Sequence, residues 1–301
     1  MLHRFRFKKP VHAICFSPND SHFAVGVGKT VQVWVTPGVR REYSPFVLHR
    51  TYTGLSNDVV SIDWTKDSRF FVAGSMDNTA RVFSLNSIEN FEPTSLAGHK
   101  GPIIGAYFGQ ESTAIYTVSV DGAVVTWGWE GEGGGEEEEE REGEGEGEDN
   151  NKSKRKRNPE ELVDGQWMLK KRHFFNQENA DVSCTSMDEQ KSLLVVGFTT
   201  GVFGLYEMPG VTNIHTLSVS QHLIKSVAIN PSGDWLAFGC PNLGQLLVWE
   251  WQSESYVLKQ QGHSYAMNAM AYSPDSQHIV TGGEDGKVKV RVNRSGERSG
   301  I

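Results

Sequence analysis

Residues 103–128 read IIGAYFGQESTAIYTVSVDGAVVTWG, and the fold turns on that stretch. It opens on a short apolar run and crosses a polar turn. A second apolar run follows, then Asp121-Gly122, then a third run that ends on Trp127. Asp-Gly between two apolar runs is a strong hairpin signal, because such tight turns need left-handed backbone and glycine adopts it without a steric penalty. The same phrase recurs at residues 11–35, 59–84, 182–207, 224–250 and 267–292. Its final positions are Trp34, Phe83, Trp127, Tyr206, Trp249 and Arg291, separated by 49, 44, 79, 43 and 42 residues. A period of about 40 to 50 residues marks a four-stranded propeller blade.

Each copy repeats the same internal grammar. The first strand leads into a turn such as Ser17-Pro18-Asn19-Asp20 or Ser273-Pro274-Asp275-Ser276. Proline pre-sets the turn and Asn or Asp closes it through side-chain hydrogen bonds. The second strand is rich in apolar residues, as in Phe70-Phe71-Val72, Leu193–Val196 and Leu236-Ala237-Phe238. Fourth strands are expected at Phe46–Thr51, Thr94–Leu96, Trp167–Phe175, Asn213–Val219 and Tyr256–Gln260. The sixth unit has none, since its third strand runs into the tail NRSGERSGI. Leu2–Phe7 is strand-like and is a candidate to complete that unit by pairing with Lys287–Val290. The expected fold is therefore all-β: six four-stranded blade units, the last incomplete, in a propeller or an open arc of one over residues 1–301.

Composition narrows the function class. No run of about 18 apolar residues is present, so no membrane-spanning helix is expected. The start, MLHRFRFKKP, carries charge with no apolar stretch behind it, unlike a secretory signal. Cys15, Cys184 and Cys240 lie far apart with no Cys-x-x-Cys pair, which argues against a disulfide framework or zinc site and fits a reducing compartment. Cys15 alternates with Ala13 and Ser17 and reads as a buried structural thiol.

The net charge of −8 belongs to one segment. Of 37 acidic and 29 basic residues, the stretch from Gly128 to Val163 holds 14 and 6, so the repeats carry 23 of each and are neutral. This segment fills the long gap between Trp127 and Tyr206. Its core, residues 129–161, is acidic first and basic after, with too little apolar content to offset its ordering entropy, so it is expected to be a disordered insertion in the third blade. Lys152, Lys154, Arg155, Lys156 and Arg157 have the composition of a nuclear-import signal or a contact for nucleic-acid phosphates. The acidic run is suited to basic partners, or to shielding its own basic neighbour. A plain solvated loop expansion is the competing reading.

Gly98-His99 and Gly262-His263, each followed by the unit with its Asp turn, resemble the WD-repeat family. In that family a His, a Ser or Thr on the second strand, the turn Asp and the third-strand Trp form a hydrogen-bonded set within a blade. The resemblance places that set on His99, Ser119, Asp121 and Trp127. In the sixth unit His263 and Asp285 match, while Gly283 and Arg291 replace the Ser and the Trp. In the second, Ser75 and Asp77 match, while Leu55 and Phe83 replace the His and the Trp.

The stretch Leu246–His263, LLVWEWQSESYVLKQQGH, resembles the periodic tryptophan protein 2 family more specifically. Trp235–Gly239, Asp67–Phe71 and Lys171–Phe175 support it, and the likeness runs from Phe5 to Val290. The family continues with Trp-Asp after Lys289-Val290, where this chain has Arg291 and an atypical tail, 291–301. It also carries further repeats, forming two propellers and a helical region, so the resemblance implies a partial chain. It implies a non-enzymatic, cofactor-free scaffold of the small-subunit processome in the nucleolus. The implied partners are the other UtpB subunits, with pre-ribosomal RNA and small nucleolar ribonucleoprotein contacted through other proteins. A general WD-repeat adaptor, such as a ubiquitin-ligase substrate receptor, is the alternative.

Enzymatic readings fare poorly. Gly28-Lys29-Thr30 evokes a phosphate loop, but that motif needs a glycine where Phe23 stands, and a helix behind the loop. His99, Ser119 and Asp121 evoke a nucleophilic triad, yet a serine on an inner strand bonded into a Trp network is a structural element. The ten histidines show no metalloprotease spacing. The tryptophans repeat in phase with the blades, which is the pattern of core residues, whereas single-strand RNA binders expose aromatics along a basic groove.

Overall fold

The computed structural model describes residues 5–38, 45–89, 91–131, 165–175, 180–240 and 244–292. The first blade is β1 (Val11–Phe16), β2 (His22–Val27), β3 (Thr30–Val35) and β4 (Val47–Tyr52). The second is β5 (Val59–Trp64), β6 (Phe70–Ser75), β7 (Thr79–Ser84) and β8 (Thr94–Ala97). The third is β9 (Ile103–Phe108), β10 (Ala114–Ser119), β11 (Ala123–Gly131) and β12 (Gly165–Phe174). The fourth is β13 (Val182–Asp188), β14 (Leu193–Phe198), β15 (Val202–Glu207) and β16 (Thr212–Ser218). The fifth is β17 (Ser226–Ile229), β18 (Trp235–Cys240), β19 (Gln245–Glu250) and β20 (Ser255–Gln261). The sixth is β21 (Met267–Tyr272), β22 (His278–Gly283) and β23 (Val288–Val292).

Five sheets thus have four strands and the sixth has three, all paired antiparallel between neighbours in sequence. The first strands β1, β5, β9, β13, β17 and β21 pack against one another in that order. β1, β5, β9, β13 and β21 line a cavity of about 720 Å³ in the ring, and the molecule is a WD-repeat propeller of six blades.

The alternation of side chains in each strand supplies two faces, and each pair of blades adjacent along the chain shares one core between facing sheets. Phe71 and Phe83 join the first blade's Val31 and Val33 in one core, while Phe70 and Val72 join the third blade's Val125 and Trp127 in the next. Corresponding cores link the third blade to the fourth, the fourth to the fifth and the fifth to the sixth. No blade buries its faces alone, so the array depends on nearest-neighbour packing.

The recurrent anchors occupy one register. Trp34, Phe83, Trp127, Tyr206, Trp249 and Arg291 lie opposite Phe23, Phe71, Ile115, Leu194, Leu236 and Ile279. Beside Trp34, Trp127, Tyr206 and Trp249 the pairing with the fourth strand shifts by a bulge. An extra residue there raises the local twist, which suits a strand at the rim of a propeller blade. The turns follow the expected chemistry: Asp20 takes φ 57° and its N–H donates to Ser17 O at 2.9 Å, while Gly122 takes φ 80°.

Three boundaries differ from the sequence expectation. Trp129, Glu130 and Gly131 continue β11, because Trp129 stacks edge-on against Trp167 at 5.3 Å and Glu130 pairs with Lys170. Residues 132–164, with the basic tract, lie outside the described residues, between β11 and β12. Arg291 and Val292 continue β23. Phe5–Phe7 form no strand on the sixth blade: their rings lie 4.8 and 6.1 Å from Trp34, against the outer face of the first blade. Edge-on packing on the indole gives both phenyl rings a favourable aromatic contact there, and residues 2–4 of the expected strand lie outside the described residues.

Candidate functional site

Blade three holds the most developed polar constellation, and it begins with a turn and a strand. Gly98-His99 precedes β9, so the imidazole of His99 enters the blade alongside β10. There its Nδ1 lies 2.8 Å from Ser119 Oγ and its Nε2 2.7 Å from Thr117 Oγ1. The Ser119 hydroxyl donates to Asp121 Oδ1, and the indole N–H of Trp127 donates to Thr117 Oγ1 at 2.9 Å. Thr117 and Ser119 are fully enclosed.

Proton bookkeeping fixes the direction of this chain. A carboxylate only accepts, so the Ser119 proton is committed to Asp121 and Ser119 Oγ accepts from His99 Nδ1–H. Burial holds the His99 imidazole well below its ordinary range, at about 4; the Asp121 charge opposes this and Arg172 adds to it. The ring is therefore neutral at pH 7, with Nε2 free to accept from the Thr117 hydroxyl. The relay runs Trp127, Thr117, His99, Ser119, Asp121, and every polar hydrogen in it is used once. Arg172 on β12 donates to Gly98 O and fastens the outer strand to the same turn.

Sequence reasoning named His99, Ser119, Asp121 and Trp127 and missed Thr117, which joins the indole to the imidazole. A signal was present. Thr117 lies two positions past the anchor's partner, where Thr281 stands in the sixth blade. Val25, Ala73, Val196 and Phe238 fill that slot elsewhere, and only the two blades with Thr carry Gly-His.

The sixth blade shortens the relay by one member. His263 Nδ1 lies 2.9 Å from Asp285 Oδ1, and its Nε2 lies 2.9 Å from Thr281 Oγ1. Gly283 makes this possible: a Cβ there would lie 2.5 Å from His263 Nδ1 and 2.9 Å from Asp285 Oδ1. Arg291 replaces the indole and turns to Gln260 Oε1 and Gln261 O. In the second blade Asp77 accepts from Ser56 N–H at 2.6 Å and from Thr79, without a histidine. In the first, the Trp34 indole N–H is enclosed and has no hydrogen-bond partner among the described residues, since Val25 offers no hydroxyl.

A second polar system laces the inner strands. Ser61 Oγ accepts from Ala106 N–H at 3.0 Å, and Asp63 Oδ2 accepts from Phe108 N–H at 2.8 Å, tying β5 to β9. Ser183 donates to Ile224 O at 2.6 Å in the same manner. Burial pushes the Asp63 carboxyl up to about 7 against the pull of the Phe108 and Trp64 N–H groups, with Glu189 raising it further. Cys15, beside Asp63, is half-buried rather than enclosed, and burial first and that carboxylate second push its thiol up to about 12, which disfavours the thiolate. Gly28-Lys29 is the tight turn between β2 and β3, with Gly28 at φ 56° and Thr30 Oγ1 donating to Val27 O. Among the described residues no cluster of three His, Cys, Asp or Glu side chains is placed to hold a metal ion. No described helix is long and apolar enough to cross a membrane.

The comparisons with known proteins agree with this geometry. The family model described as WD domain, G-beta repeat matches residues 2–35, 46–84 and 254–291, which take in the first and second units and, with the fourth strand of the fifth blade, the sixth. The chain is 47% identical over 293 residues to the Periodic tryptophan protein 2 homolog of Schizosaccharomyces pombe, covering 95% of this chain and 32% of that protein. It is 43% identical over 293 residues to Periodic tryptophan protein 2 of Saccharomyces cerevisiae, covering 96% and 31%. The chain is a WD-repeat protein of the periodic tryptophan protein 2 family. The homolog of Mus musculus is 44% identical over 317 residues, covering 98% of this chain and 34% of that protein. The chain thus spans about a third of the length of the periodic tryptophan protein 2 relatives it matches.

Proposed function

We propose that this chain is a non-enzymatic scaffold in ribosome biogenesis, acting in assembly of the small-subunit processome and in pre-rRNA processing. The observation that carries the reading is the likeness to periodic tryptophan protein 2, which extends at 43–47% identity over 95–96% of the chain. Its proposed partners are the other UtpB subunits, with pre-ribosomal RNA and small nucleolar ribonucleoprotein reached through them. Its proposed location is the nucleolus. The tract Lys152, Lys154, Arg155, Lys156 and Arg157 supports nuclear entry by its composition.

The physical form suits such work. A disc of blades presents loops on two faces and a rim of outer strands, and its His-centred polar relays lie inside the blades. The proposed role of His99, Thr117, Ser119, Asp121 and Trp127 is to hold the Gly98-His99 turn and the strands of blade three in one rigid unit.

Depletion of the chain tests the proposal. The expected result is accumulation of unprocessed small-subunit precursor RNA with large-subunit RNA maintained. Unchanged precursor RNA after full depletion would refute it. A general WD-repeat adaptor in ubiquitin ligation predicts stabilised substrate proteins in the same experiment.

A further inference from the structure

Among the described residues one ion pair skips a blade. Lys66 stands on the turn after β5 in blade two, Gln110 on the turn after β9 in blade three, and Glu189 on the turn after β13 in blade four. The three turns lie at the same end of the first strands, and β9 lies between β5 and β13. The Lys66 ammonium donates to Gln110 O at 2.9 Å and lies 3.3 Å from Glu189 Oε1. Its side chain thus carries blade two past blade three to blade four. Asp63 and Glu189 both line the cavity in the ring, so the contact lies over one end of it.

The two anchors of the ammonium differ. Gln110 O is a neutral backbone acceptor at full hydrogen-bond distance. Glu189 Oε1 is enclosed, and Lys66 meets its charge without hydrogen-bond alignment. Burial raises the Glu189 carboxyl above its usual range, the Lys66 charge pulls it back, and Asp188 raises it further. Ionisation of Glu189 and closure of Lys66 onto it therefore favour each other. Most other charges on these turns have partners of their own. Asp67 accepts from the Thr65 hydroxyl and Arg69 N–H, Asp188 accepts from Gln190 N–H, and Lys191 pairs with Asp234 at 2.6 Å. The Arg69 guanidinium lies 6.0 Å over the Phe70 ring, and Glu111 is exposed. Asp63, on β5, accepts from Phe108 N–H and is the other buried carboxyl at this end.

We propose that Lys66 is a strap over one end of the cavity, hinged on Gln110 O of blade three and latched on blade four by the Glu189 carboxylate, and that protonation of this carboxylate opens the latch. Closed, the strap joins blades two, three and four at that face. Open, it releases the Glu189 turn and leaves Lys66 on blade three. The strap does not depend on the proposed role in ribosome assembly.

Hydrogen exchange at pH 7 and NMR titration of the whole chain test this. Lys66→Met keeps the stem and removes the charge. It is expected to speed amide exchange in the 188–192 turn roughly 1.5- to 5-fold, the range for partly exposed ion pairs, and to raise the Glu189 titration midpoint. Lys66→Arg keeps the charge and should stay near the parent. Glu189→Gln should speed exchange in the 65–69 turn by a similar factor, and Lys66→Met/Glu189→Gln together should add nothing to either single change. Asp63→Asn removes the neighbouring titration for the acid arm. In that background the Lys66 ε-methylene signal should shift with the Glu189 midpoint, and adding Glu189→Gln should abolish the shift. Unchanged exchange in the blade-four turn with Lys66→Met, additive effects in the double variant, or a Lys66 signal that ignores the Glu189 titration would each overturn the proposal.

Discussion

The indole N–H of Trp127 donates to the hydroxyl oxygen of Thr117 at 2.9 Å, so the blade's anchor tryptophan reaches the His99 imidazole through a threonine. The bond gives the anchor a role beyond filling space. It also explains why the polar relay is found where a threonine, a Gly-His turn and a turn aspartate coincide.

Thr117→Val tests that link. Valine keeps the shape and removes the hydroxyl, leaving an enclosed indole N–H and an imidazole acceptor unpaired. Each orphaned group costs about 1–3 kcal/mol, so a loss of roughly 2 to 6 kcal/mol is expected in urea unfolding, with Thr117→Ser closer to the parent. An unchanged midpoint for the valine variant would show that the relay is not energetically coupled.

Asp121→Ala removes the other end of the relay. Ser119 then loses its committed acceptor, and about 1–3 kcal/mol of stability should go with it. Thermal unfolding of the variant beside the parent measures this, and an equal melting midpoint contradicts it.

Blade six makes the opposite demand on its corresponding position. Gly283→Ala places a methyl against His263 and Asp285, so their direct bond must lengthen or break. A loss of about 1–3 kcal/mol is expected. The imidazole signals of His263 should move in an NMR spectrum, and static signals would count against the geometry.

Acid–base behaviour supplies a further test. Asp63 has a folded pKa near 7, raised by burial, so the folded state holds its proton more tightly than the unfolded chain. Its contribution to stability is fully present below the unfolded value near 4 and is lost as pH rises through 7. Asp63→Asn keeps an acceptor for Phe108 N–H and carries no charge. Relative to the parent, the variant should gain stability steadily between about pH 4 and 7 and level off above. His99 acts in the other direction: its folded value is depressed to about 4, so its stabilisation is present above 6.5 and lost as pH falls through 4. Parallel stability profiles for parent and Asp63→Asn would show that the carboxyl is not perturbed.

The periodic anchors made the blades legible because a propeller repeats one burial problem: each third strand must fill the same slot between neighbours. The Asp-Gly turns were legible for an equally local reason, since few residues adopt left-handed backbone. Thr117 was not, because a threonine on a buried strand looks like any β-branched filler until its hydroxyl is seen between an imidazole and an indole. The role of Gly283 was hidden likewise, being set by two side chains distant in sequence. Phe5 and Phe7 misled because strand-like composition serves equally well to pack on Trp34. Where apolar content ran out, at residues 132–164, pattern reading had only charge left to use.

The proposed scaffold role in small-subunit assembly is open to direct test. Affinity purification of the tagged chain from growing cells, with mass spectrometry of the bound proteins, tests it most directly. The account predicts recovery of UtpB subunits together with small-subunit precursor particles. Recovery of cullin machinery instead, with no nucleolar assembly protein above background, would contradict it.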